Sequence, residues 1–440
     1  MESRNVLLLT YSFPPLGGIG VQRALSLAKY LPKHGFNVHV VTSKNAAAVV
    51  HDPKLTAHIP VNVSVDRVFT PDLPFHARKL LKNVLGKRTM GVAPTSGWKQ
   101  HLTAPVKNLF CPDPQRFWAP LALRRATQIV RERSIDTVIV TAPPFSIFLA
   151  SNELKRRFPY LTLVTDFRDE WLTYYFNTLG IINQNSYSRR RAAEIERSTV
   201  ELSDRVVAVT SRALDEMKGR YPNQPSSKFQ LIPNGFDPEV FAAFPPRPFP
   251  QGKVIVSYTG TIYPPSQPGP LVEALAALAP SVRDQLEIRI IGHIETPSDR
   301  TLLESQKPAI KLESFLPQNE VLKRIGETDY LLLIWHDEIN IPGKLFEYLA
   351  TGKPVLALAP ANSEVRRLIE QTRGGWWADI HQVDQIRCLI ETVCGVGGTS
   401  LASKFDADRT AIRRYERPRL AARYADLLSL NVPSASLLAY

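Results

Sequence analysis

Tyr330–Pro360 reads YLLLIWHDEINIPGKLFEYLATGKPVLALAP. Its two ends, YLLLIWHD and PVLALAP, are continuous apolar runs of strand length. Between them a short helix-forming run starts near Pro342-Gly343, and Gly352-Lys353-Pro354 turns the chain straight into the second strand. A strand, a helix and a strand in close succession make a parallel pair. Hydrophobicity that is continuous along a strand belongs to a sheet covered on both faces. Lys344 and Glu347 interrupt the apolar run three residues apart, so on a helix they share one face.

The same pattern runs through the rest of the chain. VIVSYTGTI, LEIRIIG and KLESFL precede the quoted stretch as strands, and GGWWAD follows it. In the first half, NVLLLTY, NVHVVTS, DTVIVTAPP, LTLVTDFRD and DRVVAVTS read as strands. Between them lie helices such as VQRALSLAKYLPKHG, ended by Gly35, while residues 44–120 read as irregular. A proline-rich break, FPPRPFPQG (Phe244–Gly252), parts the two series and has the composition of a linker. The expected fold is α/β: two doubly wound, Rossmann-like parallel-sheet domains, 1–243 and 244–405. A helical, net-positive segment, 406–440, is expected to cross back onto the first. Ligands in this class bind outside the carboxyl ends of the strands, so the two domains are expected to face a common cleft there.

Composition agrees with two packed domains. The chain has 440 residues, of which 44% are hydrophobic. Its net charge of +13 lies wholly in residues 1–243, and residues 244–440 balance to zero. That asymmetry points to an anionic partner for the first half. Nucleic-acid modules interleave aromatics with Lys and Arg on a recognisable motif, and none appears, so no nucleic acid is expected. Cys111, Cys388 and Cys394 have no CxxC spacing, which fits a reducing compartment without a disulfide framework. Neither a signal-peptide pattern nor a membrane-spanning run is visible, so a cytoplasmic protein, or one held at a membrane surface, is expected. HARKLLKNVLGKR (His76–Arg88) interleaves basic and apolar residues. It reads either as a peripheral contact with an anionic bilayer or as an ordinary surface helix.

Several positions invite chemistry. Gly17-Gly18-Ile19-Gly20 after the first strand reads as a phosphate-binding loop or as a plain tight turn. It is not GxGxxG, and the second strand ends in Thr42-Ser43 instead of a ribose-binding acid, which argues against a nicotinamide dinucleotide. Asp166, Arg168 and Asp169 in TDFRDEW sit at a strand end. They would orient or deprotonate a hydroxyl, or form a structural ion pair that closes a loop. Ser146 reads as a helix N-cap. Lys344 falls in the first turn of its helix, where the macrodipole disfavours a cation unless an anion is bound beside it. Glu347 would then accept from sugar hydroxyls. The alternative is a surface ion pair, against which the apolar flanks argue. There is no P-loop, HExxH, GxSxG or paired-cysteine zinc pattern, and Asp406-Ala407-Asp408 reads as a helix cap.

Taken together, SFPPLGGIG, DFRDEW, IPNGFDPEVF and IPGKLFEYLATGKPVLALAP resemble the retaining, nucleotide-sugar-dependent glycosyltransferases of the GT-B fold, family 4. The resemblance covers nearly the whole chain. It implies a transferase moving a sugar from a nucleoside diphosphate to a hydroxyl of a glycan or lipid-linked acceptor, without a metal or other cofactor. It implies donor contacts at Gly17, Gly18, Gly260, Pro342, Gly343, Lys344, Leu345 and Glu347. It further implies that Asp166, Arg168, Asp169 and Lys344 serve the reaction. Two features depart from the family. The position eight before Glu347 is Ile339, with Glu338 next to it, and TGTIYPPSQPGP lacks the usual Arg and Lys. Competing readings are a non-catalytic or nucleic-acid-binding protein that uses the basic half, or a sugar-nucleotide epimerase on the same fold.

Overall fold

The computed structural model describes residues 4–46, 51–71, 111–173, 186–241, 252–396 and 401–429. His76–Arg88 and most of the proline-rich break lie outside them. Contacts divide the chain into two units, Met1–Ile232 with Leu420–Tyr440, and Pro233–Arg419. The expected breaks at 243 and 405 thus move. The physical reason is pairing: Phe236 N–H donates to the Tyr415 carbonyl (3.0 Å) and Arg417 N–H to the Phe236 carbonyl (2.8 Å). These bonds bind the segment after Ile232 to the stretch before Leu420.

The first unit holds a seven-stranded parallel sheet: β1 (Arg4–Thr10), β2 (Phe36–Ser43), β3 (Ser64–Val68), β4 (Thr137–Ala142), β5 (Thr162–Phe167), β6 (Arg205–Ala208) and β7 (Phe229–Leu231), in spatial order β3-β2-β1-β4-β5-β6-β7. Val6, Leu8, Val38, Val40, Ile139, Val164 and Val207 form one apolar face. Against it pack Ala24, Leu25, Leu27 and Ala28 of the helix Ile19–Tyr30, and Leu420, Tyr424, Leu427 and Leu428 of the helix Arg417–Ser429. β3 and β7 were not legible. SVDRV carries two charges and is half-buried throughout, and FQL spans three residues; both are edge strands, which need no apolar run.

The second unit holds a six-stranded parallel sheet: β8 (Val254–Thr259), β9 (Leu286–Ile291), β10 (Ile310–Glu313), β11 (Tyr330–Ile334), β12 (Val355–Ala359) and β13 (Gly375–Asp379), in order β10-β9-β8-β11-β12-β13. Side chains alternate across a strand. Leu331 and Leu333 therefore face the helix Gly343–Thr351, while Leu332 and Ile334 join the core on the other face. This is why β11 is apolar at every position. In each sheet the order reverses at one place, between β1 and β4 and between β8 and β11, and such a switch point opens a crevice at the strand ends. Among the described residues no helix is long and apolar enough to cross a membrane.

Leu428 is 2% exposed in the first unit's core. Leu428→Ala is expected to lower that unit's stability by about 2–5 kcal/mol, read as an earlier urea midpoint. An unchanged midpoint would mean that the C-terminal helix is not part of that core.

Candidate active site

In the second unit, the loop after β8 and the helix after β11 meet at the switch point. Gly260 closes β8 with φ +101, a conformation that side chains rarely adopt. A Cβ there would lie 3.3 Å from Lys344 Nζ, so the glycine lets the ammonium come against the backbone. Lys344 Nζ donates to the Tyr258 hydroxyl (2.7 Å) and stands over the Tyr258 ring, 4.0 Å from its centroid. Burial pushes the Lys344 amine down to about 8, with Tyr348 and Glu347 pulling the other way. Pro342 is the N-cap of Gly343–Thr351 in an extended conformation. The Tyr348 hydroxyl accepts from Thr259 N–H (2.8 Å) and fixes this helix to the end of β8. Glu347 is half-buried, and burial raises its carboxyl pKa against the charges of Arg417 and Lys344.

The loop from β11 into this helix is braced internally. Trp335 Nε1 donates to the Asn340 carbonyl and Ile339 N–H to Asp337 Oδ1, each at 2.8 Å. Ile339 turns inward at 7% exposure. Glu338 is half-buried, and its carbonyl accepts from Glu364 N–H (3.0 Å). Leu345 needs correcting as a donor contact. Its side chain is fully buried in the core, and its N–H donates to the Pro342 carbonyl at 2.9 Å. Gly260, Pro342, Gly343, Lys344 and Glu347 remain grouped at the switch point.

In the first unit, Gly18 has φ +86 and stands as N-cap of Ile19–Tyr30, with Gly17 half-buried before it. Asp166 takes the structural of its two expected roles. It is fully buried, and both its oxygens are held by Arg23, at 2.8 Å from Nε and 2.9 Å from Nη2. The same guanidinium donates to the Ile232 carbonyl (2.8 Å) and the Tyr424 hydroxyl (2.7 Å). A side chain so enclosed cannot deprotonate a bound hydroxyl. Arg168 is likewise drawn in, donating to the carbonyls of Gly20, Ala142 and Pro143. It ties the strand ends of β4 and β5 to the first turn of the helix Ile19–Tyr30. Asp169 is half-buried, whereas Asp166 and Glu170 are enclosed.

Glu170 belongs to a second buried group. Arg220 donates to Glu170 (2.6 Å) and Glu196 (3.0 Å), and the Tyr221 hydroxyl to Glu196 (2.8 Å). Burial pushes Glu196 up to about 7 against the charge of Arg220, and Glu170 adds to the push. Ser146 is not a side-chain cap. Asp113 accepts from Ser146 N–H at 2.9 Å in its place. Asp408 caps Arg409–Arg413 as expected, accepting from Ala411 N–H (2.9 Å). Sequence reasoning missed Arg23 and Tyr258. Arg23 carried a signal, since it falls among Val21, Ala24 and Leu27 on the apolar side of its helix. Tyr258 carried none. Among the described residues no three His, Cys, Asp or Glu cluster to hold a metal ion.

Known proteins share this architecture. The family model for Glycosyltransferase Family 4 matches residues 17–240. No curated protein sequence matches. Among solved structures, Alr3699/HepE from Anabaena, in complex with UDP and glucose, is similar with a TM-score of 0.63 at 14% identity, covering 97% of this chain and 99% of its own. Sucrose-phosphate synthase from Thermosynechococcus elongatus is similar at 0.64 and 14% identity, covering 97% and 98%. WaaG, a glycosyltransferase involved in lipopolysaccharide biosynthesis, is similar at 0.60 and 15% identity, covering 97% and 100%. At these identities the likeness is one of fold.

Removing the Asp166 carboxylate strands a buried guanidinium. Asp166→Ala is therefore expected to lower stability by about 3–5 kcal/mol, followed by urea unfolding monitored through Trp118 and Trp171. A variant that is as stable as the parent yet inactive would restore Asp166 to the reaction.

Proposed function

The chain belongs to Glycosyltransferase Family 4 and has the GT-B fold, and on that premise we propose that it transfers a sugar from a nucleoside diphosphate to an acceptor hydroxyl with retention at the anomeric carbon. The observation that carries this reading is Gly260 against Lys344 Nζ at the second unit's switch point. There the diphosphate lies beside a lysine and the first N–H groups of the helix Gly343–Thr351, where an anion is favoured. Glu347, one turn further on, accepts from the donor ribose.

The acceptor oxygen forms its bond to the anomeric carbon on the face from which the diphosphate departs. The carbon–oxygen bond to phosphate breaks, its electron pair leaves with the diphosphate, and the hydroxyl proton passes to a departing phosphate oxygen. Negative charge grows on the diphosphate as this happens, so a cation fixed beside it acts mainly on the transition state. In this reading Lys344 stands in for the Arg and Lys that the family usually supplies after β8, and no resident metal is called for. The first unit receives the acceptor, a glycan or lipid-linked intermediate. UDP-sugars are the first donors to test, because HepE has been crystallised with UDP and with UDP-glucose. Nucleoside diphosphate release that requires both a nucleotide sugar and an acceptor supports the reading. Release without acceptor, or none with any nucleotide sugar, counts against it.

The Lys344 amine sets the pH dependence. Its pKa of about 8 in the free protein rises when an anion binds. Above pH 8 binding must therefore take up a proton, and donor affinity is expected to fall by about tenfold per pH unit. Calorimetry in buffers of different ionisation enthalpy reads this uptake directly. Affinity that stays flat from pH 7 to 9 would remove Lys344 from the diphosphate.

Glu347→Gln is expected to weaken donor binding by about 1.5–3 kcal/mol, the worth of a hydrogen bond to a charged group. Titration calorimetry with the cognate donor measures it. Equal affinity in the two proteins would exclude a ribose contact.

A further inference from the structure

Glu347 stands in the candidate donor site, and the second unit's own last segment packs against the helix that carries it. Phe236 N–H donates to the Tyr415 carbonyl and Arg417 N–H to the Phe236 carbonyl, so the chain around Glu416 forms a short parallel bridge with Phe236. Alternate side chains on extended backbone share a side. Glu416 turns outward, accepting from Nε of the exposed Arg419 at 3.0 Å. Tyr415 and Arg417 turn the other way, toward the helix Gly343–Thr351. The Tyr415 ring centroid lies 5.2 Å from that of Phe346, and Ile412 shares a core with Phe346 and Leu349. Arg417 itself is 8% exposed. The bridge therefore brings a buried guanidinium to the turn of helix on which Glu347 follows Phe346.

We propose that Arg417 is a positioning residue for the donor: its guanidinium holds the Glu347 carboxylate ionised and aimed at a ribose hydroxyl. The inference rests on the donor site proposed above. An ionised carboxylate accepts a hydrogen bond about twice as strong as a neutral group does, so the charge state of Glu347 decides what the ribose gains. Burial works against ionisation, and the charge of Arg417 opposes burial more than that of Lys344 does. Lys344 also gives up its proton near pH 8, whereas an arginine stays charged and its planar fork suits a carboxylate. The other charged groups on the elements around Glu347 are Asp337 and Glu338 in the loop before its helix, Asp237 and Glu239 beside Phe236, and Arg409 against Gly352 at the helix end. The four acids favour a neutral Glu347, which leaves the cations to keep it charged. Tyr348 and Tyr415 are engaged with Thr259 and Gln371.

Carbon-13 NMR of the glutamate carboxyls in the full chain follows Glu347 without any ligand, its signal identified by loss in E347Q. In R417Q it should titrate at higher pH than in the parent, and R417K, which keeps the charge, should restore the parent's titration. R417M is a second neutral variant of different packing, so a folding fault in one of the two does not decide the outcome. Calorimetry with UDP reads the consequence. The neutral variants should lose about tenfold in affinity at acidic pH. That deficit should close as pH rises past the new titration of Glu347, and the ratio of variant to parent cancels the protonation of UDP itself. In the E347Q background R417Q should cost little more. A Glu347 titration unmoved in both neutral variants overturns the proposal and leaves the donor site standing. A loss equal at every pH, or equal with and without the Glu347 carboxylate, also overturns it, because that is what a purely structural arginine would give. UDP that binds the parent at no pH overturns the donor site, and this role with it.

Discussion

The first unit depends on one buried ion pair. Arg23 and Asp166 lie 143 positions apart and meet through two hydrogen bonds, at 2.8 and 2.9 Å. Nη2 of that guanidinium also lies within hydrogen-bond distance of the Ile232 carbonyl, where the chain leaves the unit, and of the Tyr424 hydroxyl, on the helix that returns to it. Bringing two charges out of water costs several kcal/mol per ion, and only close geometry with every donor satisfied offsets it. The pair therefore ties β5 and the first helix to both chain crossings.

Each unit has a positive-φ glycine after its first strand, Gly18 at +86° and Gly260 at +101°. Each also has a cation near its switch point, but the two cations are treated differently. Arg168 turns its fork onto backbone carbonyls and ties the end of β4 to the first turn of the helix Ile19–Tyr30. Lys344 rests on a tyrosine, which neutralises no charge, and its amine is held down to about 8 by burial. A buried cation hydrogen-bonded to a neutral hydroxyl is ready for an anion. A cation already bonded to three carbonyls holds a scaffold. That contrast supports the assignment of donor chemistry to the second unit.

The sequence by itself determined the architecture. Continuous apolar strands between helices specify parallel sheets, and Gly35, with φ +85, ends its helical stretch where the pattern says it should. Local spacing also placed Lys344 and Glu347 on one helix face and put Gly260 after β8, because both depend on residues close in the chain. The tertiary structure decided the rest. Asp166 and Arg168 look alike in DFRDEW, and only the fold shows that one is enclosed by Arg23 and the other by carbonyls. Leu345 sits between candidate residues, yet the helix turns it into the core. The unit boundaries moved because Phe236 pairs with Tyr415 and Arg417. Periodicity reports how a segment meets its neighbours along the chain. Whether a charge is consumed or left available depends on partners that only long-range packing brings within hydrogen-bond reach.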